Sequence, residues 1–378
     1  MSFSTGMPAP MVQDLLEKVD VDDEVAAFFP AGYRLVSAAP HGASFWTRTA
    51  RINIMLPNGH PHSYFLKVAS GEVGKGMMQG EYEGVKALYK VASDFVPRPV
   101  GWGAYAADQD TFFYLCDFVD MIEELPGMSK FCSRLAKMHT DSMKWSQDGK
   151  FGFHIVTYEG SMYQDVTWSE SWEELFILAM KAFAEQERRV HGESKELQEL
   201  LPALYTKVCP RLLRPLQTGG RTIRPVLVHG DLWYGNMATN AATGEPIVFD
   251  PSVFWAHNEY DLDNMNVPRY RLGKQWMREY HRHLPKSQPE EDYDDRNLLY
   301  GIHGHFCAST LYPSTTRFRQ MAIDELRYLV DKYPSGYEGY EDREQNDDHT
   351  HMSMHGNIDD LDDFETEEPM PGMPQIAS

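Results

Sequence analysis

Asp231 sits in the run His229-Gly230-Asp231-Leu232-Trp233-Tyr234-Gly235-Asn236, and a second aspartate, Asp250, closes the apolar run Pro246-Ile247-Val248-Phe249. An aspartate that accepts a hydroxyl proton, an asparagine five positions later and a carboxylate at a strand end are the parts that phosphoryl transfer needs. In that chemistry Asp231 is the base, and Asn236 and Asp250 are the oxygen ligands that a magnesium ion shares with phosphates.

Such a site also needs a cation over the phosphates and a backbone cradle around them. Lys67, in Phe65-Leu66-Lys67-Val68, lies in a strand-like run, and Glu81 falls in the helical pattern that follows, placed to pair with it. Glu83 is the neighbouring carboxylate, but on a helix it points about 200° away. Between the first two strand-like runs lies Pro40-His41-Gly42-Ala43-Ser44, a single-glycine turn from which Gly42 and Ser44 are expected to meet phosphates. Taken alone this stretch is an ordinary turn. Asp117 and Phe118, in Cys116-Asp117-Phe118-Val119, are assigned by position to offer backbone groups to adenine.

The elements that must hold these residues divide the chain in two. Apolar spacing at Val12, Leu15, Leu16, Val19, Val25, Phe28 and Phe29 predicts one or two short helices ahead of Pro30, so residues 1–30 form an N-terminal helical segment. Strand-like runs at 33–38, 43–56 and 63–69 predict an antiparallel meander, and two more around 96–105 and 112–119 complete a five-stranded sheet. One helix, with Met78, Tyr82, Val85, Leu88 and Tyr89 on a face, joins the two groups. Residues 31–116 therefore read as a β-rich N-lobe. After Pro126 the period becomes helical, in segments beginning near 129, 172, 195, 274, 296 and 319, and residues 117–334 read as a mainly helical C-lobe. The fold class is α+β and bilobal, with nucleotide between the lobes.

The chain of 378 residues is 42% hydrophobic, with a formal net charge of -21. That charge argues against nucleic acid and anionic membrane as partners, both of which demand basic faces. Residues 335–378 hold thirteen acidic residues against one basic and few large apolar ones, the composition of a disordered acidic tail. No apolar run approaches the roughly 20 residues that span a bilayer. The first basic residue is Lys18, which gives no sign of a leader segment. Cys116, Cys132, Cys209 and Cys307 are scattered without metal-ligand spacing and read as reduced thiols of a cytoplasmic protein.

His229–Asn236 together with Ile247-Val248-Phe249-Asp250-Pro251 and Trp255-Ala256-His257-Asn258-Glu259-Tyr260-Asp261-Leu262 resembles the fructosamine-3-kinase (ketosamine-3-kinase) family, related to aminoglycoside phosphotransferases. Further matches run from about residue 30 to about 335, including Phe65–Val68, Gln79–Leu88, Lys150–Thr157, Trp168–Phe176 and Tyr280–Lys286. The chain departs from the pattern in the hairpin around Asn58, in the loop at Gly42 and near Phe306–Tyr312.

The resemblance implies a protein-kinase-like fold of the aminoglycoside phosphotransferase type. It also implies ATP and Mg2+ as cofactors, and transfer to the 3-hydroxyl of ketoamines formed on amines and on glycated proteins. Trp233 is a candidate platform for the sugar or its amine. His229 and His257 are further acceptor-side candidates, although each has a competing role in fixing its own segment, as do Glu259 and Asp261. Two rival readings stand beside this one: a kinase for another hydroxylated cation, aminoglycoside-like or choline-like, and an ATP-binding pseudokinase. The preferred ketosamine and the oligomeric state are not legible from the chain.

Overall fold

The computed structural model describes residues 19–42, 46–122, 124–146, 148–266, 272–338 and 340. Of the expected N-terminal helices, the described residues hold a single turn, α1 (Asp23–Ala26), whose N-terminus is capped by the Asp22 carboxylate accepting from Glu24 N at 2.9 Å. Asp22 also accepts from Ala106 N and Ala107 N, which ties this segment to the sheet. Val12, Leu15 and Leu16 lie outside the described residues.

The sheet consists of β1 (Arg34–Pro40), β2 (Arg48–Met55), β3 (Pro61–Ser70), β4 (Pro99–Ala104) and β5 (Thr111–Asp117), all antiparallel in the order β1-β2-β3-β5-β4. Side chains alternate across a strand, so Tyr64, Leu66 and Val68 of β3 join Ile52 and Ile54 of β2 in a small core roofed by Val25 and Phe29. Phe65, Lys67 and Ala69 consequently face the other way. That face is covered by α2 (Gly71–Val91), whose Met78, Val85 and Leu88 are buried.

Gly76, Gly80 and Gly84 lie four residues apart and so share a face of α2. A Cβ on Gly80 would stand 2.7 Å from the Val156 carbonyl oxygen, one on Gly84 would stand 2.9 Å from the Val253 side chain, and one on Gly76 would strike the Tyr158 ring. The glycines thus let the C-lobe backbone run against the helix that carries Glu81. At Gly80 the C-lobe backbone itself meets the helix, and at Gly76 and Gly84 a C-lobe side chain does.

The C-lobe contains the expected helices α3 (Met128–Ser142), α4 (Trp172–His191), α5 (Lys195–Ala203), α6 (Cys209–Leu213), α7 (Lys274–His281), α8 (Tyr293–Leu311) and α9 (Arg317–Lys332). The segment read as one helix over 195–213 is α5 and α6 joined by a π turn, Leu204–Val208, with Pro202 and Pro210 removing two backbone donors. Short strands are threaded between the helices: β6 (Met121–Ile122), β7 (Thr157–Glu159), β8 (Met162–Gln164), β9 (Val226–Val228), β10 (Met237–Asn240), β11 (Pro246–Val248) and β12 (Phe254–Ala256). β9 pairs with β12, and β10 lies between β11 and β6. These pairings bracket Asp231, Asn236 and Asp250.

The packed chain runs past the expected boundary at residue 334. Tyr337 and Tyr340 stack on each other with ring centroids 5.8 Å apart, and Tyr340 is only 6% exposed beneath Arg211. The expected tail from 341 onward lies outside the described residues. All four cysteines are buried and free. Among the described residues, no helix is long and apolar enough to cross a membrane.

Candidate active site

Lys67, 7% exposed, donates from Nζ to both carboxylate oxygens of Glu81 at 2.8 and 3.0 Å and to Asp250 Oδ1 at 2.6 Å. Burial alone would discourage a charged ammonium, but the Asp250 and Glu81 carboxylates outweigh it and hold Lys67 above its ordinary range. Burial likewise pushes the Glu81 carboxyl up to about 7, against the pull of the lysine. The strand alternation of β3 and the glycine-backed seat of α2 bring this pair together, and Asp250 reaches it from the other lobe.

Asp250 has φ of 56°, a left-handed conformation that few residues other than glycine adopt. It turns the chain so that the carboxylate leaves the β11 direction and enters the cleft. Asn236 donates from Nδ2 to the backbone oxygen and to Oδ2 of Asp231, at 2.8 and 2.9 Å. With its nitrogen committed, the amide leaves its carbonyl oxygen as the group it can present to a cation. Burial raises the Asp231 carboxyl well above the usual range, reinforced by the nearby charge of Glu159.

The loop around Asp231 is held by groups that never touch the cleft. Asp261, 1% exposed, accepts the backbone amides of His229 at 2.7 Å and Gly230 at 2.8 Å, and its Oδ2 also meets His139 Nε2 at 3.0 Å. Gly230 has φ of 84°, and a Cβ there would collide with the Ser252 carbonyl, so only glycine fits. His229 accepts the Asp231 amide on Nδ1 at 3.3 Å, which leaves the Nε2 hydrogen to the Phe249 carbonyl at 2.9 Å. Burial lowers its pKa, in keeping with this neutral form. Expected as an acceptor contact, His229 is fully buried with both ring nitrogens engaged. It orients the loop instead.

His257 needs the same correction. It is completely buried, bonded through Nδ1 to Tyr300 Oη at 2.9 Å and through Nε2 to Ser287 Oγ at 2.8 Å. No free ring nitrogen remains to meet an acceptor. Glu259 is buried as well and pairs with Arg296 at 3.0 Å.

A cleft of about 260 Å³ lies between the lobes and is lined by Lys67, Glu81, Asn236 and Asp250 at one end and by His41, Phe65 and Phe118 at the other. Gly42 lines it too, with φ of 77°. Ser44 lies outside the described residues. The Asp117 and Phe118 amides are already spent on Arg98 O and Ser63 O, both at 2.9 Å, so neither N–H is free for a base and only their carbonyls remain as candidates. The Asp117 side chain is clamped by Arg98 and His62. Phe118 packs edge-on to His41, at 4.8 Å between centroids, with the Arg51 guanidinium 4.0 Å from its ring.

Trp233 lies on the C-lobe side of the cleft, in edge contact with Tyr234. Behind Asp231 is a group that sequence reading missed. His303 of α8 lies 3.3 Å from Glu159 and 3.6 Å from Asp263, and Cys307 donates to Glu159 at 2.9 Å. Although burial opposes its charge, the Glu159 and Asp263 carboxylates raise His303 to about 9. Burial raises Asp263 to about 7. The four residues come from β7, the turn after β12 and α8, and no local spacing links them.

Asp250 and Asn236 offer oxygen ligands on one wall of the cleft, and the Asp250 side chain is 47% exposed. Among the described residues no group of three or more His, Cys, Asp or Glu could hold a metal unaided. One carboxylate and one amide fit a hard cation that shares its shell with phosphates and water, and do not fit a zinc site.

Residues 48–327 match the fructosamine kinase family. The chain is 29% identical to protein-ribulosamine 3-kinase, chloroplastic, of Oryza sativa subsp. japonica over 272 residues, 71% of this chain and 73% of that protein. It is also 29% identical to ketosamine-3-kinase of Mus musculus, over 63% of this chain and 79% of the relative. A solved structure from Thermobifida fusca YX-ER1 that carries the fructosamine-3-kinase name aligns with a TM-score of 0.62 at 21% identity, covering 82% of this chain and 100% of that one. Aminoglycoside phosphotransferase APH(4)-Ia aligns at 0.52 with 13% identity, over 79% of this chain and 95% of that one, and shares the fold. With the match running from β2 into α9, the chain belongs to the fructosamine kinase family.

Proposed function

We propose that this protein is an ATP-dependent ketosamine 3-kinase, acting on ribulosamine or fructosamine adducts of amines and of protein lysines. The observation that carries the reading is the junction of Lys67, Glu81 and Asp250 at one end of the cleft beside Asn236, which is hydrogen-bonded to Asp231, in a chain of this family. Lys67 contacts the ATP phosphates, and Glu81 keeps its ammonium in place. Asn236 and Asp250 would hold Mg2+, which supplies charge neutralisation on the phosphates when bound.

Asp231 orients the 3-hydroxyl and takes its proton as the O3–phosphorus bond forms and the bond to the departing ADP breaks. The raised carboxyl pKa suits a base that must accept that proton. Once placed on C3, the phosphate is on the carbon next to the C2 carbonyl. Enolisation toward C1 gives a 1,2-enaminol from which phosphate leaves as the C3–O bond breaks, and hydrolysis of the resulting imine releases the amine, which amounts to deglycation.

The fold shared with an aminoglycoside phosphotransferase leaves aminoglycoside-like or choline-like cations as the second reading. Four buried free thiols support a reducing compartment such as the cytoplasm. The reading is tested by incubating the full chain with Mg-ATP and a ribulosamine or fructosamine of lysine, then locating the new phosphate by phosphorus NMR. A 3-phosphate that decays to inorganic phosphate and free lysine supports it. ADP formation only with an aminoglycoside or choline would transfer the assignment to the second reading.

A further inference from the structure

Trp46 lies at the end of the β1–β2 connection in the N-lobe, yet its surroundings belong to the C-lobe. The site where a Cβ would stand on Gly160 is 3.0 Å from Trp46 Nε1 and 3.0 Å from Leu311 Cδ1. Gly160, with φ of 55°, forms the turn of the β7–β8 hairpin, and Leu311 is the last residue of α8. An indole from one lobe thus meets a hairpin tip and a helix end of the other at a single point.

That point borders the transfer site. Glu159, next to Gly160, is among the carboxylates whose charge acts on Asp231, and the phenol of Tyr312, next to Leu311, feels the charge of Asp231. His41 and Gly42, at the start of the β1–β2 connection, line the nucleotide end of the cleft.

We propose that Trp46 is a specificity-determining residue for the acceptor, its indole closing the sugar-binding side of the transfer site. This inference rests on the ketosamine kinase reading and extends it. A flat aromatic wall suits a ketoamine on both counts, because it packs against the C–H face of the sugar and attracts the ammonium of its amine. Contact with the C-lobe hairpin and with the end of α8 holds the indole in place.

The test is steady-state kinetics of the full chain and of Trp46→Ala, Trp46→Phe and Gly160→Ala, varying ribulosamine at saturating Mg-ATP and then the reverse. Folding is checked by thermal melting. Trp46→Ala is expected to raise KM for ribulosamine by about tenfold to a hundredfold, with KM for ATP changed less than about twofold. Trp46→Phe is expected to restore most of the loss. Gly160→Ala, whose methyl group would crowd the indole, is expected to shift the same constant in the same direction. An active wild type whose acceptor KM is unchanged by Trp46→Ala, or whose ATP KM rises equally, overturns the inference alone. A wild type without turnover on either ketosamine overturns the kinase reading and this inference with it. If Trp46→Ala does not fold, Trp46→Leu, which removes the aromatic face but keeps an apolar side chain, carries the same decision.

Discussion

Nζ of Lys67 lies 2.6 Å from Oδ1 of Asp250, joining two residues 183 positions apart and two different lobes. The same ammonium is held by Glu81, so one cation bridges the helix of the N-lobe and a cleft carboxylate of the C-lobe.

Lys67→Met is expected to lower kcat/KM for ATP on the order of a hundredfold or more, as loss of a charge-stabilising donor does. Glu81→Gln is expected to cost less, because Asp250 still positions the lysine. Parallel steady-state kinetics of the two variants check the order; equal losses would mean that Glu81 contributes as much as the lysine itself.

Asp261 sets the catalytic loop from behind. Asp261→Asn replaces an acceptor with an amide nitrogen facing two backbone N–H groups, so one buried donor loses its partner, a cost of about 1–3 kcal/mol. The expected result is a lower melting temperature and a fall in kcat of tenfold or more, by analogy with other misplaced catalytic groups, with little change in KM for ATP. Unchanged kcat would show that Asp231 holds its place without this support.

Gly80→Ala tests the seat of α2. The added methyl would stand 2.7 Å from the Val156 oxygen, which is backbone and cannot swing aside. Overpacking of this kind costs about 1–3 kcal/mol, and displacement of α2 carries Glu81 with it. Reduced thermal stability together with reduced kcat is expected. Loss of stability with full activity would separate the lobe contact from the Lys67–Glu81 pair.

His257 makes stability depend on acid. Burial lowers its pKa to about 4, Glu259 working in the opposite direction. Since the folded value lies below the unfolded one, the unfolded chain takes up the proton first. The neutral ring's contribution is therefore complete above pH about 6.5 and is lost as pH falls toward 4, by about 3 kcal/mol in all. Urea unfolding of wild type and His257→Gln from pH 7 to 4.5 checks this. The gap between them is expected to shrink with acidification; a constant gap would contradict it.

The sheet, α2 and the long C-lobe helices were legible because each carries a sustained period, of two in β3 and near 3.6 in α2 and α9. Lys67, Glu81, Asp231, Asn236 and Asp250 were legible because their order and spacing follow the chemistry. The strands β6 to β12 span only two to four residues, too short to show alternation. α8 is buried on most of its faces and gives little amphipathic signal, which hid His303 and Cys307. His257 misled because a histidine beside a functional segment reads the same whether it faces the cleft or the core. The spacing of Gly76, Gly80 and Gly84 was visible, but only the strand that runs against it shows why it matters.

Catalysis by Asp231 is tested most directly by ADP release with Mg-ATP and ribulosyl-lysine, comparing wild type with Asp231→Asn while calorimetry follows ATP binding in both. Substrate-dependent turnover in the wild type, lost by at least about a thousandfold in the variant while ATP affinity holds, is the expected result. Turnover surviving the substitution would contradict a proton-accepting role for Asp231.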